Sequence, residues 1–110
     1  MEVRLVQLLA SFISVSADYA LARLEFAMRD PALPAPPVIE RLPDASEDSL
    51  RSRWPHIEEQ LDAALAYTKH LSLPRSNDHE KEAAGWLGRT VRELDQYARA
   101  IRWVLTVTER

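Results

Sequence analysis

Residues 2–29 form the longest apolar stretch of the chain, EVRLVQLLASFISVSADYALARLEFAMR. Apolar side chains recur in it at alternating steps of three and four, the spacing of one face of an α-helix. Proline follows at position 31, where a helix cannot easily continue. The spacing therefore predicts one long helix over residues 2–29. The residues of this seam are Leu5, Leu8, Phe12, Val15, Tyr19, Ala22 and Phe26.

A second apolar set lies beside this seam, so the apolar band is wider than an ordinary amphipathic stripe. A helix this apolar is normally covered from more than one side. We expect either a central position in a bundle or contact with a second subunit, and we favour a homodimer. The residues predicted to pack in the dimer are Leu9, Ile13, Ala20, Leu24 and Trp86.

Residues 30–45 hold five of the seven prolines. Such a stretch cannot be helical and favours an extended, polyproline-like conformation. At about 3.1 Å per residue it is long enough to run back along a bundle. Its apolar residues (Leu33, Val38, Ile39 and Leu42) predict a crossover that packs, and the alternative is a proline-rich ligand for another protein's aromatic groove.

A second helix is predicted over residues 46–71. Ser46 is a suitable cap, and acidic residues follow it in the first turn. The apolar seam passes through Pro55, which predicts a helix that is kinked or broken there, with both pieces facing one core. The seam residues are Leu50, Trp54, Ile57, Leu61, Ala64, Thr68 and Leu71.

A third helix is predicted over residues 77–108, again from steps of three and four. Gly85 and Gly88 weaken its first turns, and their small size favours close approach of another helix. The seam residues are Ala84, Leu87, Val91, Leu94, Ala98, Ile101, Leu105 and Thr108.

The fold class that follows is all-α. The chain has two glycines among 110 residues, fewer than the turns of a sheet protein need, and no alternating strand pattern. We expect a single domain over residues 1–110, a small up-down-up bundle of three long helices. A chain of this length buries enough surface for a core without disulfides.

Composition excludes several kinds of chemistry. Because there is no cysteine, disulfides, thiolate metal sites and cysteine nucleophiles are absent. None of the three histidines has the glutamate spacing of helical metal sites, and the scarcity of glycine excludes phosphate-binding loops. We therefore predict no catalytic residues, no cofactor and no metal.

The N-terminal stretch is predicted to belong to the mature, cytoplasmic protein. It lacks a clear basic region before the apolar run, and serines and Asp18 interrupt that run before about 20 apolar residues accumulate. No contact with a membrane is expected.

One side of the third helix carries arginines and an aromatic ring, residue types that are enriched in the energetic centres of protein interfaces. We expect this side to bind a partner through Arg89, Arg92, Gln96, Arg99, Arg102 and Trp103. One alternative is simple packing of this side under the proline-rich crossover. An arginine row with an aromatic ring is also typical of nucleic-acid binding, but the net charge of −3 disfavours it.

The sequence thus predicts a non-enzymatic helical module for protein–protein interaction, a homodimeric accessory, adaptor or regulatory subunit. The alternative is a nucleic-acid-associated protein. It would bind passively through the arginine row or act as a small all-α ribonuclease, with His56 as acid or base and Arg51 stabilising phosphate charge.

Overall fold

The computed structural model describes residues 3–41, 47–74 and 77–108. Three long α-helices follow one another: α1 (Val3–Arg29), α2 (Glu47–Tyr67) and α3 (Asp78–Thr108). A 3₁₀ turn (Thr68–Ser72) extends α2. No strand occurs in the described ranges, so the all-α prediction is confirmed. The molecule is elongated, 51 × 20 × 19 Å.

The buried face of α1 follows the predicted seam with one exchange, because Leu9 is buried and Leu8 is only partly so. A strict seven-residue repeat drifts by about 20° per heptad around a straight helix. The buried face at the start of α1 is therefore turned toward Leu9. The assignment of Leu9 to a dimer contact is wrong, since its side chain lies in the core of its own chain. The buried residues of α1 are Leu5, Leu9, Phe12, Val15, Tyr19, Ala22 and Phe26.

We call residues 30–41 the crossover. It is anchored through backbone carbonyl oxygens that accept hydrogen bonds from helix side chains. The Tyr19 hydroxyl donates to Pro37 O at 2.6 Å, and Arg23 Nε donates to Pro36 O at 2.6 Å. Tyr19 precedes Arg23 in α1, whereas its acceptor Pro37 follows Pro36 in the crossover. The crossover therefore runs antiparallel to α1.

The crossover also contacts α2. The Tyr67 hydroxyl donates to Pro34 O at 2.5 Å, and the Gln60 side-chain oxygen accepts from the backbone N–H of Glu40 at 2.8 Å. Pro36 and Ile39 are buried, whereas Val38 is 55% exposed. The crossover therefore packs between α1 and α2, and Ile39 and the partly buried Leu33 contribute as predicted. The prediction that Val38 is an anchor is wrong, and Leu42 lies outside the described residues.

The crossover makes α1 and α2 parallel. Phe12 meets Trp54 early in both helices, with ring centroids 5.4 Å apart, and Phe26 meets Tyr67 at their ends, 6.2 Å apart. The expected up-down-up order is therefore wrong. A tight turn would have reversed the direction, but the crossover returns the chain to its starting end before α2 begins.

The third helix runs antiparallel to the other two. Near its end, Leu105 O accepts a hydrogen bond from Arg51 Nη1 in the second turn of α2, at 3.2 Å. Arg4 at the start of α1 also lies near Trp103. The buried residues of α3 follow its predicted seam, and Leu94 and Ile101 are fully buried.

The helix α2 runs through Pro55 without a break. The proline ring is exposed, while its neighbours Trp54 and Ile57 are buried, so the apolar seam keeps its register. The helix tightens into the 3₁₀ turn at Thr68, and Tyr67, not Thr68, is the last buried side chain of α2.

Neither glycine of α3 is required by a close approach of another helix. A Cβ atom at Gly88 would lie 3.6 Å from Leu71 Cδ1, an ordinary contact, and one at Gly85 would lie 3.5 Å from Arg89 Nη1. No glycine in the described ranges has a positive φ.

Gly85→Ala and Gly88→Ala should therefore each stabilise the protein, by up to about 1 kcal/mol, because alanine loses less backbone entropy in a helix. Urea unfolding followed by circular dichroism measures the change. A loss of stability in either variant would show that α3 cannot accept a side chain at that position.

Tyr19→Phe should destabilise the protein by about 1 kcal/mol, because it removes the donor to Pro37 O. Tyr97→Phe is the matched control, since the partly buried Tyr97 ring donates no side-chain hydrogen bond within the described ranges.

The same pair of variants has a distinct pH signature. Burial raises the pKa of Tyr19 from 10.0 to about 12. A folded-state pKa above the unfolded value gives stability that is present below pH 10 and is lost as the pH rises through about 12. Wild-type protein and Tyr97→Phe should show this loss, and Tyr19→Phe should lack the Tyr19 part of it. Identical alkaline profiles for Tyr19→Phe and wild type would contradict the assignment.

Candidate interaction surface

The face of α1 that points away from the core is itself apolar. Its exposed residues recur at alternating steps of three and four, the spacing of a helix–helix seam. We call this row the outer stripe; it consists of Val3, Val6, Ala10, Ile13, Ala17, Ala20 and Leu24. Leu21 and Met28 flank it, and they are 59% and 76% exposed.

The outer stripe contains three of the five residues that the sequence assigned to dimer packing, namely Ile13, Ala20 and Leu24. Ile13 is 49% exposed and Leu24 is 56% exposed. Trp86 lies elsewhere, partly buried against the core, beside Glu25 and Arg89 in a cleft between α1 and α3.

Sequence reasoning did not assign the remaining stripe residues to an interface, although their spacing is readable. The steps of three and four begin at Val3 and continue without interruption to Leu24. A second apolar row was visible beside the first seam, but its members were not all identified, because α1 is apolar on two faces and Leu9 was counted with the outer row.

A small groove borders the outer stripe where the crossover passes α1. It encloses about 310 Å³ and is lined by Phe12, Ile13, Ser16, Ala17, Glu40 and Arg41. Among the described residues, Ser16 Oγ is buried without a hydrogen-bond partner. Since Ile13 and Ala17 belong both to the outer stripe and to the lining of the groove, the exposed apolar surface of α1 continues into the groove.

By length and composition, α1 is the one helix in the described ranges that could cross a membrane. Core helices and signal sequences also have these properties. A third of its most apolar segment is buried within the chain. The helix also carries Asp18 and Arg23, and a charged side chain at the centre of a bilayer costs about 2.5–3.5 kcal/mol or more.

The side of α3 predicted to bind a partner is exposed over most of its length. Arg89, Arg92 and Gln96 are exposed, and within the described ranges neither arginine has an ion pair. Arg99 is 81% exposed, and its Nε lies 3.1 Å from Asp95.

Arg102 differs from the other arginines of this row. Its guanidinium lies 2.5 Å from both carboxylate oxygens of Glu58 on α2. Its charge is therefore neutralised by Glu58 in an ion pair that joins α2 to α3. We call the remaining residues Arg89, Arg92, Gln96, Arg99 and Trp103 the arginine face.

Trp103 is 55% exposed, and the guanidinium carbon of Arg4 lies 5.1 Å from its ring centroid. This cation–π contact joins the start of α1 to the end of α3. The ring therefore lies on the surface between two helices.

Arg51 and His56 do not form a common site. Arg51 Nη1 donates to Leu105 O on α3. The His56 ring instead lies 3.6 Å from the Glu40 carboxylate of the crossover and 3.4 Å from the Gln60 amide. The two side chains contact different elements, an arrangement that does not direct both at one phosphate.

Within the described ranges no group of three or more His, Asp or Glu side chains is placed to hold a metal ion. The absence of a metal, a cofactor and catalytic residues stays a prediction. No family model, curated protein or solved structure matches the chain.

Trp103→Ala should change the free energy of unfolding by less than about 1 kcal/mol, because an exposed cation–π contact contributes little. Trp54→Ala is the matched control. Its ring is 3% exposed and packs against Phe12, so its removal should cost about 3–5 kcal/mol. Chemical denaturation measures both. A large loss in Trp103→Ala would place this ring in the structural core.

Proposed function

We propose that this protein is a non-enzymatic, homodimeric interaction module, an accessory, adaptor or regulatory subunit of the cytoplasm. The outer stripe of α1 packs against a second copy of the chain. The arginine face of α3 remains outside the dimer and binds a further protein. The proposal rests on the unbroken apolar row along the exposed side of α1.

The size of this surface supports burial against another protein. Val3, Val6, Ile13, Leu21, Leu24 and Met28 are each between 49% and 76% exposed. Six such side chains on one helix expose several hundred Å², near the upper end of the roughly 300–600 Å² of the largest patch on an ordinary monomer. A stable interface takes about 800 Å² from each partner, so the stripe and its borders are of suitable size.

The energy of burial is also sufficient. At about 25 cal/mol per Å², covering the stripe on two copies gives on the order of 20 kcal/mol of gross stabilisation. Association costs about 4–15 kcal/mol in lost translational and rotational freedom. The difference, about 5–16 kcal/mol, is favourable over the whole range and corresponds to dissociation constants between sub-millimolar and picomolar.

A protein occupant is favoured over lipid by the shape and attachment of α1. Ala10, Ala17 and Ala20 leave the middle of the stripe shallow, which suits close packing of another helix. Hydrogen bonds from Tyr19 and Arg23 hold the helix to the crossover, so insertion of α1 into a bilayer would first have to break the fold.

The chemistry of the arginine face indicates the kind of further partner. Arg89 and Arg92 lie on the same side of α3 as the exposed ring of Trp103, about 21 and 16 Å from it along the helix at 1.5 Å per residue. Neither arginine has an ion pair in the described ranges. Arginine pairs well with carboxylates in a bidentate geometry. An acidic protein surface with an apolar centre is the complementary partner.

Light scattering after size exclusion tests the dimer, with absorbance at 260 and 280 nm recorded together. The wild-type protein should have twice the 12.6 kDa mass of one chain and carry no nucleic acid. The double variant Ile13→Glu/Leu24→Glu should be a folded monomer, because it places two charges within the outer stripe.

Leu73→Glu is the matched control. Leu73 is 49% exposed and lines a cleft with residues of the 3₁₀ turn and α3, and no residue of α1 lines this cleft. The variant should remain dimeric. A wild-type monomer at all concentrations would overturn the proposal. Co-sedimentation of that monomer with neutral phosphatidylcholine vesicles would assign the stripe to a lipid surface, and bound nucleic acid would favour the alternative function.

A further inference from the structure

We infer that the two copies of α1 pack antiparallel, with the two-fold axis at the level of Val15. In this arrangement Val6 contacts the partner's Leu24, and Ile13 contacts the partner's Ala17. The inference rests on the proposed function, because it specifies the geometry of the same dimer.

The register follows from the positions of the outer stripe. Reversing α1 about Val15 exchanges positions 3 and 27, 6 and 24, 10 and 20, and 13 and 17. All eight of these positions carry apolar residues, since position 27 is Ala27. Reversal about this level therefore places six of the seven stripe positions on stripe positions and Val3 on the half-buried Ala27, so the stripe is close to the self-complementary surface that an isologous contact requires.

Side-chain volumes favour this antiparallel register over a parallel one. A parallel pair places Ile13 on its own copy and Leu24 on its own copy, whereas Ala17 and Ala20 meet only alanine. Layers of very different thickness cannot all close at one interhelical distance. The antiparallel pair combines Ile13 with Ala17 and Val6 with Leu24. Ala10 still meets Ala20, but no layer places Ile on Ile or Leu on Leu, so the layers differ less in thickness.

Electrostatics favour the same direction. In the antiparallel pair the two helix dipoles oppose each other favourably, whereas in a parallel pair the like-charged helix ends lie side by side.

The absence of cysteine makes the orientation directly testable, because each introduced thiol is the only one in the chain. We would prepare three single variants, Val6→Cys, Ala17→Cys and Leu24→Cys, all at exposed positions. Each is oxidised or treated with a short bismaleimide, alone and as a re-equilibrated mixture of Val6→Cys with Leu24→Cys. Non-reducing gel electrophoresis measures the cross-linked fraction.

Ala17→Cys lies close to the axis and should cross-link to its own copy in either orientation, so it reports the dimer contact alone. In the antiparallel dimer the two copies of position 6 are about 27 Å apart at 1.5 Å per residue, as are the two copies of position 24. Val6→Cys and Leu24→Cys should therefore cross-link less than a tenth as much alone as in the mixture.

Efficient cross-linking of Val6→Cys alone and of Leu24→Cys alone, with no gain in the mixture, would establish a parallel dimer. That result would overturn the inference and leave the proposed function standing. A monomeric mass together with no cross-linking of Ala17→Cys would overturn both.

Discussion

The crossover carbonyls are the constraint on which the architecture depends. Proline has no N–H to donate, but its carbonyl oxygen can accept a hydrogen bond. Three proline carbonyls of the crossover do so: Pro34 O accepts from Tyr67, Pro36 O from Arg23 and Pro37 O from Tyr19. They hold the extended chain antiparallel to α1. The second helix therefore starts at the same end of the bundle as α1 and lies parallel to it.

The parallel arrangement also explains why one face of α1 is exposed to solvent. The crossover and α2 occupy one side of the helix, and α3 packs antiparallel along another. Two helices and one extended segment do not surround a 27-residue helix, so the outer stripe, from Val3 to Leu24, stays exposed. The apolar residues of α1 therefore form two faces, one buried in the core and one exposed to solvent.

Much of the fold could be predicted from periodicity, because burial of one helix face requires steps of three and four. Phe12 in α1 and Leu94 in α3 are buried as those steps indicate. The direction of α2 could not be obtained this way, since periodicity carries no information on how helices are arranged. The assignment of Leu9 to a dimer contact was wrong, because the drift of the heptad around the helix depends on how the whole helix packs.

The candidate surface was predictable only in part. Ile13 and Leu24, which the sequence assigned to dimer packing, are exposed in the single chain, and the second periodic row that contains them is visible in the sequence. The dimer contact itself stays a prediction. The pairing of Arg102 with Glu58 was not, because it joins residues 44 positions apart and exists only once α2 and α3 have packed. Likewise, the spacing of Arg51 and His56 did not reveal that they contact different elements.

The central claim is that the outer stripe is covered by a second copy, and the four isoleucines of the chain test it directly. Ile39, Ile57 and Ile101 are at most 9% exposed within one chain, whereas Ile13 is 49% exposed. Methyl-selective NMR with a soluble paramagnetic probe reports the solvent access of each. We predict that Ile13 is as protected as the other three at dimer concentration and loses this protection on dilution. An Ile13 methyl that remains open to the probe at every concentration would contradict the account.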